Sequence, residues 1–324
     1  MELSTRESEF PEAGSNGNIK DERVTAMNEK IVTKKEANNT DIAKDAIWEN
    51  RKIKLRSFTK NKMAMFGLVL STIMVLAAIL APLITPYDPI AMDTVNRFQT
   101  PSLVHLFGTD EFGRDIFTRT VYGVRISLII GAATAAITFV LGMILGLLAG
   151  YFSFLDNLIM RVCEGMMSIP SILMGIALMS VLGTESKNVV IALSIVYTPV
   201  VARVARAATL TVKEMTYIEA IKSQGAGWIR ILVKHIAPNT LSSVIVQSTY
   251  IFATAIILEA ALSFLGAGIP APTPSMGNIL NEAKQYIFNS WWLTLYPSIV
   301  MILLVMGINI LGDGIRDVMD PTAS

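Results

Sequence analysis

The side chains able to do chemistry in this chain are few and poorly placed for it. There is one cysteine, Cys163, and there are two histidines, His105 and His235. An internal disulfide and a metal centre built from cysteine or histidine are therefore not expected. No G-x-x-x-x-G-K-S/T run occurs, so ATP hydrolysis by the phosphate-loop route is not expected of this chain. Acids and bases gather at the ends of long apolar stretches and between them, which leaves no place for a catalytic constellation and predicts a protein that is not an enzyme. The polar residues with the most telling spacing form one short segment, Thr216-Tyr217-Ile218-Glu219-Ala220-Ile221-Lys222-Ser223-Gln224-Gly225. Thr216 with Glu219 three residues on has the form of a capping box, and Gly225 suits the left-handed position after a last helical turn.

A helix this short is marginal in water, so it needs a surface to pack against, and a partner protein on that side is the natural candidate. Ile218 and Ile221 share one of its faces, with Ala220 nearby and Tyr217 at the start. Beyond Gly225, Ile229, Leu232, Val233 and Ile236 fall at helical spacing and predict a second, amphipathic helix packed on the protein's own helix ends. A capped knob supported from behind has the form of a mechanical coupling element. An ordinary interfacial loop that only turns the chain fits the same residues.

The elements that must hold this segment are membrane spans. Hydrophobic residues make up 52% of the 324-residue chain, and its mean hydropathy is +0.52. Six runs approach the roughly 20 apolar residues that a bilayer core requires. They are Met63 to Thr85, Ile126 to Phe152, Leu158 to Leu182, Val189 to Leu210, Thr240 to Gly266 and Trp292 to Leu311. The first begins too far along to be a cleavable signal peptide, so it is expected to stay as a span. Pro170 and Pro199 lie inside the third and fourth and predict kinks. Gly142, Gly146 and Gly150, four apart, predict close helix packing rather than a nucleotide loop. Arg203 and Arg206 are expected to anchor the end of the fourth span, and Cys163 to be a small buried hydrophobe.

Lysines and arginines set the orientation. Arg51, Lys52, Lys54, Arg56, Lys60 and Lys62 precede the first span, and Arg203, Arg206, Lys213, Lys222, Arg230 and Lys234 flank the short helix. Both regions, and with six spans both termini, are predicted to be cytoplasmic. The external segment from Pro86 to Arg125 runs against the rule with Arg97, Arg114, Arg119 and Arg125. The predicted organisation is a disordered cytoplasmic tail (1–44), an interfacial helix or solvated basic lead-in (45–62), a six-span domain (63–312) with its coupling loop (213–238), and a cytoplasmic tail (313–324).

Two further groups carry competing readings. Glu259, an acid within a span, either lines the outer part of a translocation path or hydrogen-bonds locally near the external interface. Arg114 with Asp110 and Asp115 either contacts a delivering binding protein or holds the external segment together by ion pairs.

Glu219-Ala220-Ile221, Gly225 after three more residues, and Pro238 after the second helix resemble the EAA loop of ABC importer permeases. Ile221 stands where a second alanine is usual, and Ala237 where leucine usually precedes the proline. Phe107-Gly108-Thr109-Asp110-Glu111-Phe112-Gly113-Arg114-Asp115 resembles a signature of the dipeptide/oligopeptide/nickel branch, in its C-type half. So do Ser263-Phe264-Leu265-Gly266-Ala267-Gly268, Pro272-Thr273-Pro274-Ser275-Met276-Gly277, where Met276 replaces a common tryptophan, and Asn309-Ile310-Leu311-Gly312-Asp313-Gly314-Ile315-Arg316-Asp317. The match runs unbroken from about Ser57 to Pro321.

The resemblance implies an all-α, six-span permease of the type I ABC importer fold in a bacterial cytoplasmic membrane. It implies a homologous B-type permease, two cytoplasmic ABC ATPases that carry ATP and Mg, and an extracellular substrate-binding protein, with membrane lipid around it. This chain itself is expected to bind no cofactor, no metal and no nucleic acid. Thr216, Tyr217, Ile218, Glu219, Ala220, Ile221 and Gly225 would couple it to an ATPase. Short peptides are the expected cargo; a nickel or other metal chelate, or glutathione, is the alternative. An ATP-independent transporter or channel is a further alternative, against which the span centres lack the charged residues that couple ions.

Overall fold

Helices in lipid gain nothing by hiding apolar surface from one another, so their contacts depend on shape and on small residues. The first pair illustrates this. The computed structural model describes Trp48, Arg56 and residues 58–319. Helix α1 (Lys62–Ile79) starts at Asn61, whose side chain accepts from the Met63 and Ala64 N–H groups. Its buried residues, Ala64, Gly67, Ser71 and Ala78, form a stripe of small side chains. This stripe lies on the last helix, α10 (Trp292–Met319), so closely that a Cβ on Gly67 would stand 2.6 Å from the Leu311 nitrogen. Asn61 Nδ2 also donates to Asp317 of α10 at 3.0 Å.

After the short α2 (Ala81–Ile84) and a connecting segment, α3 (Ile116–Tyr151) runs for 36 residues. At 1.5 Å per residue it is about 54 Å long, well beyond a bilayer core. It begins ten residues before the expected start of the second span, because Asp115 caps it by accepting from the Thr118 N–H. Helices α4 (Ser153–Met167) and α5 (Ser171–Leu182) meet at a 96° bend. Pro170, which has no N–H to continue the helix, makes the bend sharper than the kink expected there. Helix α6 (Ser186–Lys213) runs through Pro199 as one continuous helix. Added Cβ atoms on Gly142, Gly146 and Gly150 of α3 would lie 2.5, 2.4 and 2.6 Å from Val201, Ala205 and Thr209 of α6. The three glycines thus make the close helix contact that their spacing predicts.

Helix α7 (Thr216–Ser223) is the short helix between spans, and α8 (Trp228–Phe264) follows it as one long helix. Helix α9 (Met276–Ala283) lies in the connection to α10. Five helices are long and apolar enough to cross a membrane, and the bent pair makes a sixth if it is one span. No β-strand occurs among the described residues. Residues 58–319 belong to one compact unit. The expected tail (1–44) and most of the expected interfacial helix (45–62) lie outside the described residues, whereas Asp313 to Met319 continue α10.

Candidate functional site

Only Glu214 and Met215 separate α6 from α7. With so short a link, Met215 must make the turn, and it is extended at φ −70° and ψ 136°. Thr216 is then already helical, so the expected capping box does not form and no side chain caps the helix. The other end is closed as predicted. Gly225 stands at φ 81°, where a side chain would be strained. Its N–H donates to Lys222 O at 3.0 Å, and the Ala226 N–H donates to Ile221 O at 3.3 Å, the paired bonds of a Schellman motif.

Ile218 is only 3% exposed and seats α7 in a core shared by Met143 and Leu147 of α3, Val201 and Ala205 of α6, and Val244 of α8. Ile221 packs against the same cluster, as the shared face predicts. Thr216, Tyr217, Glu219 and Ala220 lie on the open side. The helix is therefore a knob whose root joins a core shared by three long helices and whose outer face is exposed.

The second helix of the loop is continuous with α8, through a π turn over Leu232–Ile236. Pro238 has no N–H and its ring crowds the carbonyl four residues back; the wider turn relieves this by pairing the Ala237 N–H with Leu232 O. The expected apolar face is corrected accordingly. Ile231, Leu232 and Ile236 are buried, while Ile229 and Val233 are 58% and 63% exposed. A uniform 3.6-residue period does not survive a π turn.

Several positioning residues had little signal in the sequence. Asn239 Nδ2 donates to the Tyr217 hydroxyl at 3.1 Å and to His235 O at 2.7 Å, which ties α7 to α8. Lys213 Nζ donates to Tyr151 O at 2.7 Å and Gly150 O at 3.3 Å, closing the C-terminus of α3 where a cation is favoured. Trp228 packs edge-on against Phe152 with 5.4 Å between ring centres. Arg206 pairs with Asp156 of α4 through Nη2 and Oδ2 at 2.6 Å. Cys163 is buried.

At the opposite end, Asp110, Arg114 and Asp115 are 4%, 2% and 4% exposed, so their side chains offer little to a docking protein. Arg114 Nε reaches Asp110 Oδ2 at 2.6 Å. Arg114 Nη2 and Arg119 Nη2 converge on Glu282 Oε2 of α9 at 2.7 and 2.8 Å. Burial pushes the Glu282 carboxyl above the usual carboxylate range, against the pull of Arg119 and Arg114. Asp115 also meets His105 Nδ1 at 2.9 Å. The turn that brings these groups together requires Gly113, at φ 75°, where a Cβ would stand 1.7 Å from Asp93 O. Ion pairs thus hold the segment before α3 together, in keeping with the second of the two readings given for these residues.

Glu259 is fully buried and lines neither the cavity between α6, α8 and α10 nor the one between α3, α4 and α6. Ser127 Oγ donates to its Oε2 at 3.0 Å and Ser263 Oγ to its Oε1 at 2.9 Å. Ser263 Oγ in turn accepts from the Ile269 N–H at 3.1 Å. The Glu259 carboxyl ties α3, α8 and the segment beyond α8 together, in keeping with the local hydrogen-bonding reading. No cluster of metal-ligating side chains occurs among the described residues.

Comparison with known proteins decides the family. The pattern of the binding-protein-dependent transport system inner membrane component matches residues 139–324. The chain belongs to this family. Residues 52–101 also match the N-terminal transmembrane domain of oligopeptide transport permease C. A dipeptide transport system permease protein of Alkalihalophilus pseudofirmus is 45% identical over 269 residues, 82% of this chain and 88% of that protein. A putative peptide transport system permease protein of Brucella abortus is 44% identical over 266 residues, 82% of this chain and 90% of that protein. In fold, the permease is similar to a chain of the inward-facing methionine ABC transporter MetNI, with a TM-score of 0.55 and 20% identity over 63% of this chain and 98% of that one.

The family, the all-α importer-permease fold and the transport function expected from the motifs therefore stand, and the ATP-independent alternative is not favoured. This permease is a multi-pass membrane protein and a transport subunit.

Proposed function

We infer that this chain is the C-type transmembrane half of an ATP-driven importer of short peptides. Its partners in this reading are a homologous B-type permease, two cytoplasmic ABC ATPases that bind ATP and Mg, and an extracellular substrate-binding protein. Both termini and α7 lie on the cytoplasmic side. The observation that carries the reading is the seat of α7, with Ile218 and Ile221 rooted in the core and Thr216, Tyr217, Glu219 and Ala220 facing outward. The names of the relatives support the peptide cargo.

In this mechanism, closure of the ATPases displaces the open face of α7. The root of the knob belongs to one core that α3, α6 and α8 share. Packed interfaces shift between discrete arrangements rather than stretch, so the pull is passed on as movement of whole helices. The side of the membrane to which the inter-permease cavity opens then changes, without chemistry on the cargo. The test is purification of this chain from its native membranes in mild detergent, with mass spectrometry of what accompanies it. Two phosphate-loop ATPases and a second six-span protein are expected. Recovery of the chain alone, with peptide uptake intact, would overturn the reading.

A further inference from the structure

A cavity of about 710 Å³ opens between α6, α8 and α10, on the face of α8 away from α3. Its walls carry an unusual set of side chains for a bilayer. Ser243, Gln247 and Tyr250 of α8 lie at positions i, i+4 and i+7, and Asn309, Asp313 and Arg316 of α10 lie at the same spacing. Each set therefore forms a stripe along one face of its helix. The α6 wall is Val200 and Val204. Ser243, Gln247, Asn309, Asp313 and Arg316 make no side-chain hydrogen bond or ion pair within the described residues.

Three occupants compete for such a cleft. Lipid tails would leave these amides and charges without partners in hydrocarbon, which is costly. A packed neighbouring helix calls for small residues, as where Gly142, Gly146 and Gly150 meet α6, whereas Gln247, Tyr250 and Arg316 are large and would hold a helix away. Water and a polar solute remain. Topology places the cleft at the α7 end, since α8 starts there and α10 finishes there.

We propose that this cleft is a transit site for short zwitterionic peptides, an inference that rests on the importer reading above. Gln247, Ser243 and Asn309 offer neutral donors and acceptors that match the amide groups of any peptide, whatever its side chains. Asp313 and Arg316 complement the terminal ammonium and carboxylate. Ser243 to Tyr250 spans about 10 Å of helix. An extended peptide covers about 3.3–3.6 Å per residue, so the α8 stripe matches about three residues. The site recognises the backbone loosely, which suits a passage that must release its cargo.

The experiment uses the complete importer in inverted membrane vesicles, with Cys163→Ala combined with either Gln247→Cys or Ile302→Cys. Ile302 is an apolar residue of α10, 63% exposed, and serves as the lipid-facing control. A membrane-impermeant thiol reagent is expected to modify Gln247→Cys at least tenfold faster than Ile302→Cys. Saturating trialanine is expected to slow the Gln247→Cys reaction several-fold and leave the control unchanged. Equal, slow reaction at both positions, or reaction at Gln247→Cys that trialanine does not slow, overturns the site. If the Cys163→Ala background does not assemble, Gln247→Leu in the native chain decides. It should raise the KM for trialanine uptake several-fold, with Gln247→Asn partly restoring it, and an unchanged KM overturns the proposal. Trialanine uptake by the unaltered complex separates the two failures: uptake with no protection removes only the transit site, whereas no uptake removes the importer reading and this inference with it.

Discussion

At the scale of single residues, the open and buried faces of α7 make different demands. Gly225 holds a left-handed conformation and donates to Lys222 O, and proline can do neither. Glu219 is exposed, so Glu219→Lys reverses a charge on the docking face without touching the core. Both Gly225→Pro and Glu219→Lys should leave membrane insertion intact, as read by immunoblot of the membrane fraction, and abolish peptide uptake by whole cells. Normal uptake by both would remove the coupling role of α7.

The ion-pair cluster before α3 makes a demand on stability instead. Removing Glu282 leaves Arg114 and Arg119 buried with half their counter-charge, and breaking such a pair costs about 3–5 kcal/mol. Glu282→Ala should therefore lower the thermal midpoint of the purified complex markedly. Lys187→Ala removes an exposed pair and should leave that midpoint in place. The left-handed turn at Gly225 and the shared inner face of Ile218 and Ile221 were legible in the sequence because each follows from local geometry or periodicity. Asn239, Glu282 and the burial of Glu259 were not, since their partners lie far away in the chain.

At the scale of elements, spacing foretold a close helix contact, and a local rule failed where neighbouring elements overrode it. Gly142, Gly146 and Gly150 meet α6 because a four-residue period keeps them on one face. The capping box failed because the two-residue link after α6 forces helical geometry on Thr216. The apolar run of the bent pair could be recognised by its hydropathy, but proline alone cannot tell a kink from a 96° turn. The α3–α6 seam offers a test. A Cβ on Gly146 would lie 2.4 Å from Ala205 Cβ and 2.6 Å from Ala202 O. Gly146→Val must then push the helices apart, at about 1–3 kcal/mol for overpacking. Gly165 has nothing within 4 Å of its would-be Cβ, so Gly165→Ala gains helix propensity without a clash. The expected result is a lower thermal midpoint for Gly146→Val and an equal or higher one for Gly165→Ala. The reverse order would show that the glycines do not set the helix spacing.

At the scale of the whole molecule, function depends on which end of the bundle faces the cytoplasm. The basic flanks of the first span and of the α7 loop argue that the α7 end is inside, and Arg97, Arg114, Arg119 and Arg125 at the other end argue against it. The structure weakens that objection. Arg114 and Arg119 are 2% and 1% exposed and share Glu282, so they are paired within the fold rather than displayed as free positive charge. Exposed single cysteines can settle the orientation, since the native Cys163 is buried. Phe288 is 97% exposed in the connection between α9 and α10, and Ser223 is exposed on α7. In intact cells a membrane-impermeant maleimide should label Phe288→Cys and not Ser223→Cys, and opening the cells should add the second label. Labelling of Ser223→Cys in intact cells would place α7 outside, out of reach of any cytoplasmic ATPase, and the coupling mechanism would fall with the orientation.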